Sequence, residues 1–141
     1  MKPTMFGAAV ASIAAPYLSM VFSWTIYAIQ SDKDILALLL EFPGTLVAGT
    51  VGALLFGLPL FLVSLLLASS LRNRRAGTWW AAMMLGGSVG FCFSLWLYKD
   101  WRNPEPAMLV FMHLPNVLSG IISGWICWFI MMRERQHTSA D

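Results

Sequence analysis

Charge is what this sequence has least of. Asp, Glu, Lys and Arg make up 11% of its 141 residues, less than half of the roughly 25% usual in soluble domains. That is too little to coat a water-facing surface, so a soluble globular protein is excluded first. Cysteine is scarce as well. Cys92 and Cys127 stand alone, without CxxC or metal-ligand spacing, and read as small apolar packing residues. Only two histidines occur, His113 and His137. No nucleophile–base pair, phosphate loop or metal cluster can be assembled from the sequence. The expected protein is therefore not an enzyme, and it needs no cofactor, metal or nucleic acid.

What is present explains the missing charge. Four apolar runs, Phe6–Ile29, Gly44–Leu71, Thr78–Tyr98 and Ala107–Met132, contain no Asp, Glu, Lys or Arg. Each exceeds the roughly 20 residues that carry a helix across a bilayer core. The expected architecture is an all-α integral membrane protein: one four-helix bundle over residues 1–141, with spans near 6–29, 44–71, 78–98 and 107–132 and a polar tail at 133–141. The first run continues past Pro16 to Ile29, well beyond the roughly 7–15 residues of a signal-peptide core, and reads as an uncleaved span.

Basic residues set the orientation. Lys2, Arg72, Arg74, Arg75, Arg133 and Arg135 fall on one side of a four-span topology, and only Lys33, Lys99 and Arg102 on the other. Positive residues mark the cytoplasmic side, so both termini are expected there. The aromatics agree, with Trp24, Tyr27, Trp96, Tyr98 and Trp101 near the outer ends and Trp79 and Trp80 at the inner end of the third span. Short loops and a simple tail suit a bacterial inner membrane.

The first external loop carries the most distinctive feature outside the spans, SDKDILALLLEFPG. Ser31 resembles an N-cap, and Asp32 and Asp34 sit in the first turn. Pro43-Gly44 marks a break. The expectation is a short interfacial helix over 32–42 that presents Asp32, Asp34 and Glu41 to water and to any partner. The basic RNRR loop at 72–75 is a topology determinant.

Within the spans, small residues recur at intervals of four, the spacing that lets helix backbones approach closely in lipid. The second span has Thr45, Gly49, Ala53 and Gly57, the third Ala82, Gly86, Gly90 and Ser94, and the fourth Asn116, Gly120 and Gly124 with His113 three residues earlier. The first span instead places Ser12, Pro16, Ser19, Ser23 and Tyr27 on one face, a polar seam or a pore lining. Pro16, Pro59 and Pro115 free the carbonyls of Ser12, Leu55 and Phe111 and invite kinks.

The fourth span holds the run HLPNVLSGIISGW, His113–Trp125. Asn116 is expected in a helix–helix seam, and His113 to be a neutral histidine satisfied near the water boundary. Haem ligation by a histidine pair fails because His137 lies in the tail. Copper on Met108, Met112 and His113 is chemically sensible for Cu(I), but methionine is also an ordinary filler in a chain with nine of them.

Two functions remain. One is a binding protein that occupies a membrane partner, either an immunity protein that neutralises a membrane-acting toxin or an accessory subunit of a membrane complex. The other is a small transporter or channel that works as a homo-oligomer, since a single bundle packed on glycines is expected to leave no lumen. In outline the four spans resemble small multidrug-resistance exporters. The matching first-span region here, FGAAVASIAAPYLS, lacks the membrane-embedded glutamate on which those depend.

Overall fold

In a computed structural model of the chain, residues 3–30, 34–73, 79–99 and 106–138 are described. They form four helices: α1 Pro3–Gln30, α2 Ile35–Asn73, α3 Trp79–Leu97 and α4 Pro106–Thr138. No strand occurs among the described residues. All four helices are long and apolar enough to cross a membrane. The fold is an all-helical, multi-pass membrane bundle, as the apolar runs require. In hydrocarbon a backbone must satisfy its own hydrogen bonds, and a helix does so within one segment.

α2 departs from the sequence expectation. The break at Pro43-Gly44 does not occur, and the helix runs on for 39 residues through both Pro43 and Pro59. It begins after Asp34, which is not helical, rather than at Asp32. The Asp34 carbonyl accepts the first bond, from the Leu38 amide (3.1 Å), so the N-cap lies at Asp34; Ser31 and Asp32 lie outside the described residues. Proline removes one donor, a loss that spanning helices tolerate when tertiary contacts hold both flanks. Here Phe42 packs edge-on against Trp24 of α1, ring centroids 5.1 Å apart. That contact ties the first two turns of α2 to the bundle.

Around the bundle the order is α2, α1, α4, α3. The close pairs are α3 with α4, α1 with α2, and α1 with α4, whereas α2 and α4 barely touch. α2 and α3 are consecutive in the chain but do not pack backbone to backbone along their length. Phe56 bridges them by edge-on contacts with Phe93 (5.1 Å) and Trp96 (6.1 Å).

The tightest interface lies between α3 and α4, and it is built on glycine. A Cβ at Gly86 would run into the Gly120 carbonyl, one at Gly90 into that of Asn116, and one at Gly124 into that of Ala82. The relation is reciprocal, because a Cβ at Gly120 would meet the Gly86 carbonyl. Each step of four along α3 thus matches a step of four back along α4, the register of two antiparallel helices in backbone contact. The α2 stripe is narrower than its spacing suggests. Gly49 lies against the Tyr17 ring and Gly52 against Pro16, but a Cβ at Gly57 would meet nothing within 4 Å.

This geometry makes glycine substitutions discriminating. Gly86→Ala and Gly90→Ala must push α3 off α4, and each is expected to destabilise the bundle by about 1–3 kcal/mol or more, the usual cost of overfilling a packed interface. Gly57→Ala should stay within about 0.5 kcal/mol of the parent, as at other open surface sites. Loss of helical circular dichroism on titration with a denaturing detergent measures both. Equal effects at Gly57 and Gly86 would contradict the interface.

Candidate functional site

The interior of the bundle is small and polar. Its buried apolar residues are Ala8, Ala11, Ala82, Met112, Cys127 and Met131, and beside them lie buried Ser12, Ser94, Asn116, Ser119 and Ser123. The large apolar side chains, such as Leu54, Leu58, Trp80 and Met84, point outward. Small residues let helices approach, and hydroxyls can bond to their own helix, so both can be buried where lipid covers the outside.

Asn116 organises the centre. Pro115 ahead of it and Gly120 after it leave α4 a bare, close-packed surface, and the Asn116 side chain turns from there toward α1. Its Oδ1 accepts the Ser19 hydroxyl (2.8 Å), its Nδ2 donates to the Met112 carbonyl (3.2 Å), and its own carbonyl accepts the Ser119 hydroxyl (2.9 Å). Nδ2 serves Met112, one residue beyond Phe111, whose carbonyl Pro115 frees. The Ser19–Asn116 bond joins residues 97 apart in sequence. Such intramembrane bonds average only about 0.6 kcal/mol, so this one sets the register of α1 on α4 more than it holds them together.

His113 lies one turn from Asn116 but in different surroundings. Its Nδ1 is 2.7 Å from the Ser94 hydroxyl, and that hydroxyl donates to the Phe91 carbonyl (2.8 Å). With the serine proton so used, Nδ1 carries a hydrogen and donates to Ser94. The rings of Phe91 and Tyr98 stand edge-on to the imidazole at 5.7 and 6.0 Å, and Ser94 is wholly buried. The pair extends the α3–α4 glycine seam by one more step. Met112 is buried and Met108 exposed, and no cluster of three or more His, Cys, Asp or Glu occurs among the described residues.

The α1 face divides. Ser12, Pro16, Ser19 and Ser23 line a central cavity of about 160 Å³, and Tyr27 does not. Ser12 donates to the Ala9 carbonyl of its own helix (2.8 Å). Between Ala11 and Ser23 the cavity follows about 18 Å of α1, and between Ala82 and Leu97 about 22 Å of α3, at 1.5 Å per residue. It is bounded by residues of all four helices, a space far short of a continuous lumen. Glycine contact closes α3 on α4, but nothing comparable closes α2 on α3. Asp34 and Glu41 are exposed at the start of α2 and take no part in the cavity. Asp32 lies outside the described residues.

Several contributors were not singled out from sequence. Tyr17 reaches α2 through a bond to Thr50 (2.8 Å), and Thr50 in turn donates to the Leu46 carbonyl (3.0 Å). Ser119 and Ser123 line the cavity from α4, and Ser64, Phe56 and Phe93 line it from α2 and α3. The serines carried a legible signal, since 116, 119 and 123 share one helical face; Tyr17 and the phenylalanines did not stand out from other aromatics. Two buried polar atoms have no hydrogen-bond partner among the described residues, Trp24 Nε1 and Ser123 Oγ.

No protein-family model, curated protein or solved structure matches this chain, so its own geometry is the ground for a functional reading.

Proposed function

We propose that this protein acts without chemistry of its own, by binding a partner in or at the membrane. The concrete forms are an immunity-type protein that neutralises a membrane-acting toxin and an accessory subunit of a membrane complex. The supporting observation is the unfinished side of the bundle. α2 is anchored along α1 alone, and between α2 and α3 the bridging contacts are aromatic side chains. A partner helix can add to that side without breaking any glycine contact.

The basic residues at 2, 72, 74, 75, 133 and 135 favour both termini in the cytoplasm, and the short loops and polar tail suit a bacterial inner membrane. At 39 residues α2 is about 58 Å long at 1.5 Å per residue, nearly twice a hydrocarbon core of about 30 Å. Its first two turns then belong at the outer interface, with exposed Asp34 and Glu41 toward water and exposed Leu36, Leu39 and Leu40 toward lipid. Alkaline phosphatase fused after Lys99 should be active in the bacterial envelope and fused after Arg75 inactive; the reverse pattern would invert the topology.

Affinity purification in mild detergent from native cells, with mass spectrometry and particle mass, tests the partner. A stoichiometric second membrane protein is expected, and Asp34→Lys should reduce its recovery severalfold if the start of α2 takes part in recognition. A particle holding only copies of this chain would defeat the binding reading. It would favour the second, an oligomeric channel or transporter, for which the serine-lined cavity speaks. Ser12, Ser19 and Ser23 exchanged for Ala should then change flux in liposomes.

A further inference from the structure

The shape of the central cavity and the charge at the two ends of the bundle carry an inference independent of any protein partner. About 160 Å³ of space is drawn out along roughly 20 Å of helix, a thread and not a chamber. A helix, about 10 Å across with its side chains, cannot enter it. A second, apolar recess of about 400 Å³ lies between α2 and α3. Phe56, Leu60, Leu85, Val89 and Phe93 line both spaces. Only side chains therefore separate the thread from the lipid-facing side, along a border that no run of backbone contact closes.

The lining asks for an apolar occupant. Ser12, Ser19 and Ser119 donate to the carbonyl of Ala9, Oδ1 of Asn116 and the carbonyl of Asn116, so these hydroxyls are already used within the protein. No Asp, Glu, Lys, Arg or His lines the cavity, and a charged guest would leave water without compensation. A narrow void left empty forfeits dispersion contacts all along its walls. A flexible hydrocarbon chain restores them, and the bilayer supplies such chains at the open border.

The two ends of the bundle differ in charge. Gly7 lies against Cys127, Gly124 against Ala82, and Tyr17 bonds to Thr50, so the start of α1, the end of α2, the start of α3 and the end of α4 share one end. There the chain carries Lys2, Arg72, Arg74, Arg75, Arg133 and Arg135, against Glu134 and Asp141. The opposite end has Lys33, Lys99 and Arg102 against Asp32, Asp34, Glu41, Asp100 and Glu105. The stacked, exposed pair Trp79 and Trp80 stands at the basic end, as tryptophans do at the level of lipid headgroups. From Ala82, one helical turn further in, the cavity runs away from that end.

We propose that the central cavity holds one acyl chain of an anionic glycerophospholipid, which moves in sideways from the bilayer between Phe56 and Phe93 and keeps its phosphate among the basic residues at the Ala82 end. Length agrees: one leaflet is about half of a 30 Å hydrocarbon core, and the thread is somewhat longer than that. The headgroup never leaves water, so entry costs no desolvation of charge. The groove fixes where the chain lies, and the arginines select the headgroup, since basic residues near a membrane surface attract anionic lipids.

The test uses the full chain, alone, in phosphatidylcholine vesicles that contain a trace of phosphatidylglycerol with a photoreactive diazirine at the end of one acyl chain. Labelled residues are mapped by mass spectrometry. A chain that starts level with Ala82 and runs about 15 Å, the depth of one leaflet, ends near Phe93 of α3 and Met20 of α1, and saturable labelling is expected there. Unlabelled phosphatidylglycerol should displace it and added phosphatidylcholine should not. Arg74→Gln, outside the helices, should weaken labelling roughly fivefold, the worth of one basic residue near an anionic surface. Val89→Trp, which narrows the groove, should abolish it; the comparison of the two competing lipids on the unaltered protein holds even if that variant fails to fold. Labelling that does not saturate and stays on Val63, Ser88 and Cys92 would overturn the proposal and leave ordinary lipid-facing surface. Equal displacement by the two lipids would overturn it too, because the basic end would then select nothing.

Discussion

The backbone contact between α3 and α4 is the constraint on which the rest of the molecule depends. In lipid, helices gain little by hiding apolar surface from one another, so association requires that they touch over a large area at short range. Gly86, Gly90, Gly120 and Gly124 make this possible, since each stands where a Cβ would strike a carbonyl of the other helix. Ala82 continues the seam at one end and the Ser94–His113 bond at the other. With that pair fixed, α4 offers α1 its adjoining face, where Asn116 meets Ser19, and α1 in turn carries α2.

The seam also determines what lies inside. Side chains that allow close approach are small, so the interior is made of alanine, serine and glycine and the bulky residues are turned outward. A packed core of this kind cannot correct a mismatch by shifting a large flexible side chain. Where two helices lack complementary small residues, a space is left over. α2 has Gly49 and Gly52 against Tyr17 and Pro16 of α1, and a Cβ at its other two glycines, Gly44 and Gly57, would meet nothing within 4 Å. The central cavity and the open side between α2 and α3 are two results of this single deficit.

α2 follows the same logic. A 39-residue helix with two internal prolines would be a poor element in water, where the lost bonds and exposed leucines both count against it. In a membrane its surroundings are apolar along the middle and its neighbour α1 supports one side. Phe42 on Trp24 near one proline, and Tyr17 on Thr50 between the two, are the contacts that keep it continuous. Pro43 adjoins the Phe42 attachment, and Phe56, three residues before Pro59, contacts Phe93 and Trp96 of α3.

Much of this was legible in the sequence, and the limit is instructive. Four spans, the absence of charge inside them and the glycine faces of α3 and α4 follow from composition and from a period near four, which any helix must express on its surface. What periodicity describes, however, is one face of one helix. It does not say which helix that face will meet. Pro43 looked like a stop because the local rule ignores Phe42 and its distant partner Trp24. Asn116 and His113 fall on one stripe of α4 because they are three residues apart, yet one bonds to Ser19 of α1 and the other to Ser94 of α3. The placement of α2 beside α1 and away from α3, and with it the cavity and the unpartnered hydroxyl of Ser123, depends on contacts between residues far apart in the chain. Only the tertiary structure decided those, because they arise from the fit of whole surfaces and not from the pattern along any one of them.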